Sequence, residues 1–378
     1  MRSRIVSLAL LVSALVAVLS GPANAATSPL KWSHPTKLAN QPLTALTCPD
    51  TSFCAAGAGR AVYTSSDPMR SSGRWLQHAI ERPAVHGIDA EMTSLSCPSD
   101  NFCAGTVVNG PAEVVASNDP SEPGSRAWRS IGYGEIGSDS VLDIACPLSS
   151  LCLGGDQQGN VEHSRTPAVT DVSWTSTPVD SDSAACQTGS QSQTNVCPGD
   201  LSTLTCPARN FCVGVDSLGY VYSSEDPTGG ANQWQTVRLA QWDQFPNFNQ
   251  VYAQISCPTR TFCAFVFDPT GQIFTSTDPH GGDGAWHLAP IRDRFVQAIS
   301  CASEKLCVAV DSKGYALTSA DPAARAPSWV RSQIDRARSS TRAWYAPVQL
   351  GLTGVACPST KACVAVDGFG NELVGDAS

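Results

Sequence analysis

The chain has 378 residues, of which 42% are apolar and only 15% charged, and its formal net charge is -9. That apolar share fills a core and excludes wholesale disorder. The low charge beside 30 Gly and 26 Pro points to turns rather than long surface helices, and the acidity excludes duplex nucleic acid as a partner, because phosphate binding needs a basic face.

Residues 1–25 read as a secretory signal peptide. Arg2 and Arg4 form a basic start, Ile5 to Leu19 is an apolar run, Gly21-Pro22 breaks it, and Ala23-Asn24-Ala25 is a small-x-small cleavage site. The run is short for a membrane span, although a retained anchor is the alternative reading. No later apolar run is long enough to span, so the mature chain, residues 26–378, is expected to be an exported domain without a transmembrane segment. The 16 Cys suit such an oxidising compartment.

A short strand pattern, Lys31-Trp32-Ser33, comes next. Then one motif recurs seven times: an apolar residue, a small residue, Cys, five residues, Cys. The pairs are Cys48 and Cys54, Cys97 and Cys103, Cys146 and Cys152, Cys206 and Cys212, Cys257 and Cys263, Cys301 and Cys307, and Cys357 and Cys363. Spacing within a pair never varies while spacing between pairs does, which means a fixed local unit joined by variable loops.

Each unit reads as four short strands. The first ends at the leading Cys, where a following Pro cannot continue a paired strand. The second starts at the trailing Cys, as in Phe211-Cys212-Val213-Gly214-Val215. A tight Asp-x-x-Gly turn follows at Asp216, Asp311 and Asp367, since Asp bonds the turn backbone and Gly accepts positive φ. The third strand runs like Tyr220-Val221-Tyr222-Ser223 and closes in a Ser-x-Asp-Pro corner in five units, at Asp67, Asp119, Asp226, Asp278 and Asp321. A Trp opens the fourth: Trp75, Trp128, Trp174, Trp234, Trp286 or Trp329.

Four-stranded repeats of about 40–50 residues are propeller blades. The seventh unit lacks its own Trp strand, and Lys31-Trp32-Ser33 has no unit of its own. Joining them completes seven blades and leaves no bare sheet edge at the seam; a linear solenoid would have no need of complementary half-units. The predicted fold is therefore an all-β, seven-bladed β-propeller with its N-terminal strand in the last blade and one disulfide per blade.

Five intervening residues can set two Cys opposite each other in a hairpin, with Cα atoms about 4.4–6.8 Å apart. Each such clasp is worth about 2 kcal/mol by chain entropy. Cys186 and Cys197, in a polar insertion between the third and fourth units, are expected to pair with each other. Zinc would need about four converging ligands, and a redox motif would favour Cys-x-x-Cys; neither pattern is present. No metal and no cofactor is expected, the central channel included.

The Ser-x-Asp-Pro…Trp corners, as in Ser276-Thr277-Asp278-Pro279 leading to Trp286, resemble Asp-box motifs of the bacterial neuraminidase repeat. The Cys-Pro-x-x-x-x-Cys-Val-Ala-Val-Asp wording of the last unit is similar to repeats in secreted actinobacterial propeller proteins of unassigned function. The resemblance implies a structural turn on the face away from any active site. Here the Gly is displaced, the Trp is farther away, and Thr166 stands where the third unit would carry Asp. The resemblance also raises a glycoside hydrolase, sialidase-like, or a lyase as an alternative, yet the family's arginine triad and Tyr–Glu pair find no residue-by-residue match.

The links between blades, long and varied, lie on the face opposite the Cys clasps and Asp corners, and long loops on a rigid scaffold carry recognition. One link holds His78, Glu81, Arg82, His86, Asp89 and Glu91, and a second is the Cys186–Cys197 insertion. The third contains Trp242, Asp243, Phe245, Asn247, Phe248 and Asn249. Later links contribute Arg292 and Arg294, then Arg336, Arg338, Arg342, Trp344 and Tyr345. Aromatics beside amides and acids suit a sugar, and aromatics with Arg suit a protein hot spot; plugging of loops onto the ring is the structural alternative for Trp242, Phe248 and Trp344. The expected role is a secreted, non-catalytic, monomeric propeller that recognises an extracellular glycan or protein, with a structural envelope protein as a further alternative.

Overall fold

The computed structural model describes residues 30–70, 73–80, 91–108, 112–123, 127–133, 141–167, 173–180, 201–216, 218–239, 252–268, 271–289, 291, 296–336, 338–339 and 349–377. They form seven antiparallel sheets around an axis. Blade 4 shows the pattern, with strands Leu201–Ala208, Phe211–Asp216, Tyr220–Ser224 and Trp234–Arg238 paired in chain order. The innermost strands are Ala45–Asp50, Glu91–Ser99, Val141–Leu148, Leu201–Ala208, Tyr252–Thr259, Val296–Ser303 and Leu352–Ser359. Each touches the next, and the seventh touches the first, so the ring is closed.

Closure uses both ends of the described chain. Blade 7 consists of Leu352–Ser359, Ala362–Asp367 and Asn371–Asp376, and its outer edge is filled by Lys31–Trp32 and Thr36–Lys37. Trp32 lies opposite Gly375, where a Cβ would meet the indole within 2.9 Å, so the absent side chain makes room for the ring. Among the described residues no helix is long and apolar enough to cross a membrane.

The first strand of a blade does not stop at its leading Cys. It runs on through Pro to Asp50, Ser99, Leu148, Ala208, Thr259 and Ser359, with the ladder interrupted at the Cys-Pro step, as between Thr205 and Ala208. The break in register is a bulge, and a bulge asks no ladder N–H of the proline.

Seven disulfides join the first two strands of every blade: Cys48–Cys54, Cys97–Cys103, Cys146–Cys152, Cys206–Cys212, Cys257–Cys263, Cys301–Cys307 and Cys357–Cys363. Their Cα atoms are 4.0–4.2 Å apart, closer than the expected range. Cross-strand pairs without ladder bonds are the narrow ones in an antiparallel sheet, at about 4.5 Å. Seven such bonds place folding in an oxidising compartment. Cys186 and Cys197 lie outside the described residues. Non-reducing peptide mapping is expected to return seven bridges, each spanning six residues, plus one between Cys186 and Cys197. Links between different blades, or free thiols throughout, would contradict the arrangement.

The small residue before each leading Cys also has a use. Ser96, Ser256 and Ser300 accept the N–H of the next blade's Cys146, Cys301 and Cys357 at 2.8–2.9 Å. Thr44, Thr93 and Thr353 donate hydroxyls to Met92 O, Leu142 O and Leu43 O of the following blade. The inner strands are thus stitched blade to blade, not only packed.

Apolar packing lies between blades. Each fourth-strand Trp meets the preceding blade: Trp286 packs with Phe211, Val213 and Val221 of blade 4, and Trp128 with Phe53 and Val62 of blade 1. The six corners, including the third with Thr166 in place of Asp, share one bond, from the N–H of the third residue to the Ser hydroxyl at 3.0–3.3 Å. The corner therefore needs the Ser and the backbone, and Thr166 satisfies it as Asp does.

Candidate functional site

In this topology the clasps and corners share one face, and the second-to-third-strand turns share the other with the links between blades. That second face is the one expected to recognise a ligand. Four of its turns are built on a buried Asp. In each, one carboxylate oxygen accepts N–H groups two and four residues on: Asp156 from Gln158 and Asn160, Asp216 from Leu218 and Tyr220, Asp311 from Lys313 and Tyr315, and Asp367 from Phe369 and Asn371, all at 2.7–2.9 Å. Gly219, Gly314 and Gly370 follow with φ of 80–87°, which a side chain would resist. The turns predicted at Asp216, Asp311 and Asp367 are present, and Asp156 makes a fourth.

The second oxygen of each Asp takes a different partner. Asp156 and Asp367 accept the side-chain amides of Asn160 and Asn371, Asp216 accepts the Tyr222 hydroxyl at 3.0 Å, and Asp311 accepts Arg331 at 3.0 Å. The Arg331 guanidinium also lies 3.3 Å from the centre of the Tyr315 ring. Between blades 1 and 2, Arg60 grips Glu113 with both terminal nitrogens, at 2.5 and 3.2 Å.

Burial pushes the Asp216 carboxyl up to about 7, against the pull of the Tyr220 and Leu218 N–H groups and the Tyr222 hydroxyl, with Asp180 adding repulsion. Burial likewise raises Asp367, with Asp335 contributing, and raises Asp143. Tyr222 is raised by burial and by its two acid neighbours. An unfolded Asp titrates near 3.9. Between about pH 4 and 7 the folded chain therefore holds a proton that the unfolded chain has released. This group's contribution is full below that window and is lost as pH rises through it, by at most about 4 kcal/mol. Thermal unfolding is expected to show a higher midpoint at pH 5 than at pH 8. Asp216→Asn should flatten part of that slope, and an unchanged slope would refute the assignment.

Of the sequence-predicted ligand contacts, Arg336 is exposed just after the fourth strand of blade 6, and Arg338 begins a two-residue ladder, Arg338–Ser339 against Gln349–Leu350. The link, read from the sequence as a long loop, is thus pinned at its base by a two-stranded ladder. Trp242, Asp243, Phe245, Asn247, Arg292, Arg294, Arg342, Trp344 and Tyr345 lie outside the described residues, as do Phe248, Asn249, Glu81, Arg82, His86 and Asp89. His78 is misplaced by the sequence reading. It is a fourth-strand residue of blade 1, fully buried, with Nε2 2.8 Å from Thr64 Oγ1 and its pKa lowered by burial. The strand opened by Trp75 continues through Ala79, so the link starts later than the run of polar residues suggests.

A hollow of about 330 Å³ opens instead on the clasp face. Glu225, Asp226, Asn232, Gln233 and Trp234 of blade 4 and His280 of blade 5 line it. His280 Nδ1 is 2.9 Å from Ser223 Oγ, but Ser223 is 2% exposed and cannot meet a substrate as a nucleophile. No group of three or more His, Cys, Asp and Glu side chains gathers among the described residues.

No protein-family profile matches the chain, and no curated protein matches it. Solved structures do. YCF48 from Cyanidioschyzon merolae superposes with a TM-score of 0.61 at 11% identity, covering 91% of this chain and 98% of that one. YCF48 bound to D1 peptide gives 0.58 at 12% identity, covering 92% and 97%. The WD40 β-propeller domain of Doa1 gives 0.61 at 8% identity, with the same coverage of 92% and 97%. At these identities the likeness is one of fold: this chain is a seven-bladed β-propeller with the architecture seen in YCF48 and in WD40 propellers.

Proposed function

We propose that the protein is an exported binding propeller that recognises an extracellular protein segment on the face carrying the long inter-blade links. The observation behind this reading is the contrast between the two faces. The clasp face is built seven times from one short hairpin, whereas the opposite face varies from blade to blade in the length and chemistry of its links. A rigid ring with one variable face is a scaffold for recognition. A solved propeller of similar size, YCF48, is described with a peptide bound. Export is read from residues 1–25 and agrees with the seven disulfides. The Asp-box likeness is kept as a reading of the corners, which bear on fold and not on activity.

Glycan recognition is the second reading, favoured by Trp242 and Phe245 beside Asp243 and Asn247 in one link. The test is affinity capture from a secreted-protein fraction, run beside a glycan array, with the native chain and with Trp242→Ala and Trp344→Ala. Capture of a defined protein that is lost in a link variant supports the first reading. Array binding alone would replace it with the second, and turnover of a fluorogenic glycoside would overturn both.

A further inference from the structure

Charge is divided unevenly among the links between blades. Those after blades 1–4, residues 80–90, 134–140, 179–200 and 239–251, hold eight acids and one base, Arg82. Those after blades 5 and 6, residues 290–295 and 334–351, hold five Arg and two Asp. In a chain of net charge -9, one end of the link face is therefore the basic exception.

The described residues show what this end presents. Lys313 lies half-exposed in the second-to-third-strand turn of blade 6. The Asp335 N–H donates to Gly314 O of that turn at 3.0 Å, which sets the exposed Arg336 beside it. Gly351 packs on the same turn, where a Cβ would run into Ser312 O, so the Arg338–Ser339 ladder with Gln349–Leu350 is rooted there too. Arg331 lies over Tyr315 and pairs with Asp311, and its side chain is still 41% exposed. At the neighbouring turn of blade 7, the exposed Lys37 donates from Nζ to Phe369 O. Every described acid on this side of blades 6 and 7 is buried: Asp311, Asp335, Asp367 and Glu372 are at most 8% exposed. The surface is positive and the negative charge lies beneath it. The turn itself does not demand this, because blade 3 has Gln157 and Gln158 in the equivalent turn and Ser181 and Asp182 after Asp180.

We propose that the turn of blade 6, through Lys313, Arg331 and Arg336, receives a short acidic segment of the partner protein. The inference rests on the reading of this face as the recognising one, and it names the partner's chemistry. Exposed cations gathered without an exposed acid repel one another, and an anion among them relieves the repulsion. Arg331 is already held by Tyr315 and Asp311, so its planar fork loses little freedom when it meets a carboxylate. An extended polyanion, such as a phosphodiester polymer, fits poorly, because it would reach from the basic end of the face toward the acidic links and meet like charge. A short acidic segment ends before that.

The test is fluorescence anisotropy of a labelled hexaglutamate peptide with the full chain, beside hexaglutamine and inorganic polyphosphate, run together with the affinity capture described above. The variants are Lys313→Glu combined with Arg336→Glu, and Arg336→Glu alone should the pair fail to fold. Arg209→Glu, exposed at the clasp of blade 4 on the opposite face, is the control. Arg331 is left in place because it holds the buried Asp311. Hexaglutamate is expected to bind the native chain and the control equally, and the double reversal to weaken it about tenfold, Arg336→Glu alone about threefold. Raising salt from about 0.1 M to about 1 M, which shortens the screening length from about 10 Å to about 3 Å, abolishes binding. A captured protein is lost in the same variants. The proposal is overturned if hexaglutamine binds equally, if the double reversal binds unchanged, or if polyphosphate binds more tightly than hexaglutamate through the same residues. A partner captured equally by native and reversed chains overturns it and leaves the recognition reading standing, whereas no capture and no peptide binding removes both.

Discussion

Replacing Asp143 by Ala is expected to destabilise the protein by about 3–5 kcal/mol. Asp143 sits in the innermost strand of blade 3 and is half-buried. Its carboxylate accepts Ser94 Oγ from blade 2, and the Thr203 hydroxyl and Leu204 N–H from blade 4 at 3.0 and 2.8 Å, besides the Ile144 N–H at 2.9 Å. One side chain thus ties three consecutive blades at the ring's inner wall. Removing it strands four partly buried donors, each costing about 1–3 kcal/mol, though not additively because they share one acceptor. Asp143→Asn keeps one acceptor oxygen and should lose about half as much. Denaturant unfolding of both variants measures the effect, and a loss below about 1 kcal/mol for Asp143→Ala would show that water takes over the donors.

The second large effect concerns the seam. A chain beginning at residue 38 lacks Leu30, Trp32 and both short strands that cover Asn371–Asp376. It is expected to lose about 5 kcal/mol or more and to associate through the bared edge. Leu30 is 3% exposed, and Trp32 packs on the cluster holding Leu306, Val308 and Ala316. The seam has a bond that the other joints lack. At six joints the Trp meets Val62, Val114, Val161, Val221, Ile273 or Ala316 of the preceding blade. Trp75 of blade 1 donates its indole N–H to Glu372 of blade 7, the corresponding position. Thermal unfolding and size-exclusion chromatography of the shortened chain, beside one beginning at residue 30, test the prediction. An unchanged midpoint and a monodisperse peak would mean that the ring closes without its N-terminal strand.

The two effects differ in how far they could be read beforehand. The seam was legible because Lys31-Trp32-Ser33 matches what the seventh unit lacks. Asp143 was not, because nothing local distinguishes it from Ser94, Thr203 or Gly354 at the same place in other units; its meaning lies in donors about 50–60 residues away on either side. His78 shows the opposite error. Its polar neighbours in sequence suggested a loop, while the ladder with Ala61–Ser65 drew it into the core. The corner of blade 3 looked defective with Thr166, yet the bond that matters uses its backbone.

Blade number, the pairing of the clasps and the ring's closure were fixed by the amino-acid sequence alone, because each depends on short spacings that recur seven times and so reinforce one another. The tertiary structure decided what joins one blade to the next: the Asp143 hub, the Tyr222 bridge between Asp180 and Asp216, and the Trp75–Glu372 bond. Those contacts pair residues from different repeats, and burial sets their strength by removing the water that would otherwise compete for every donor and acceptor.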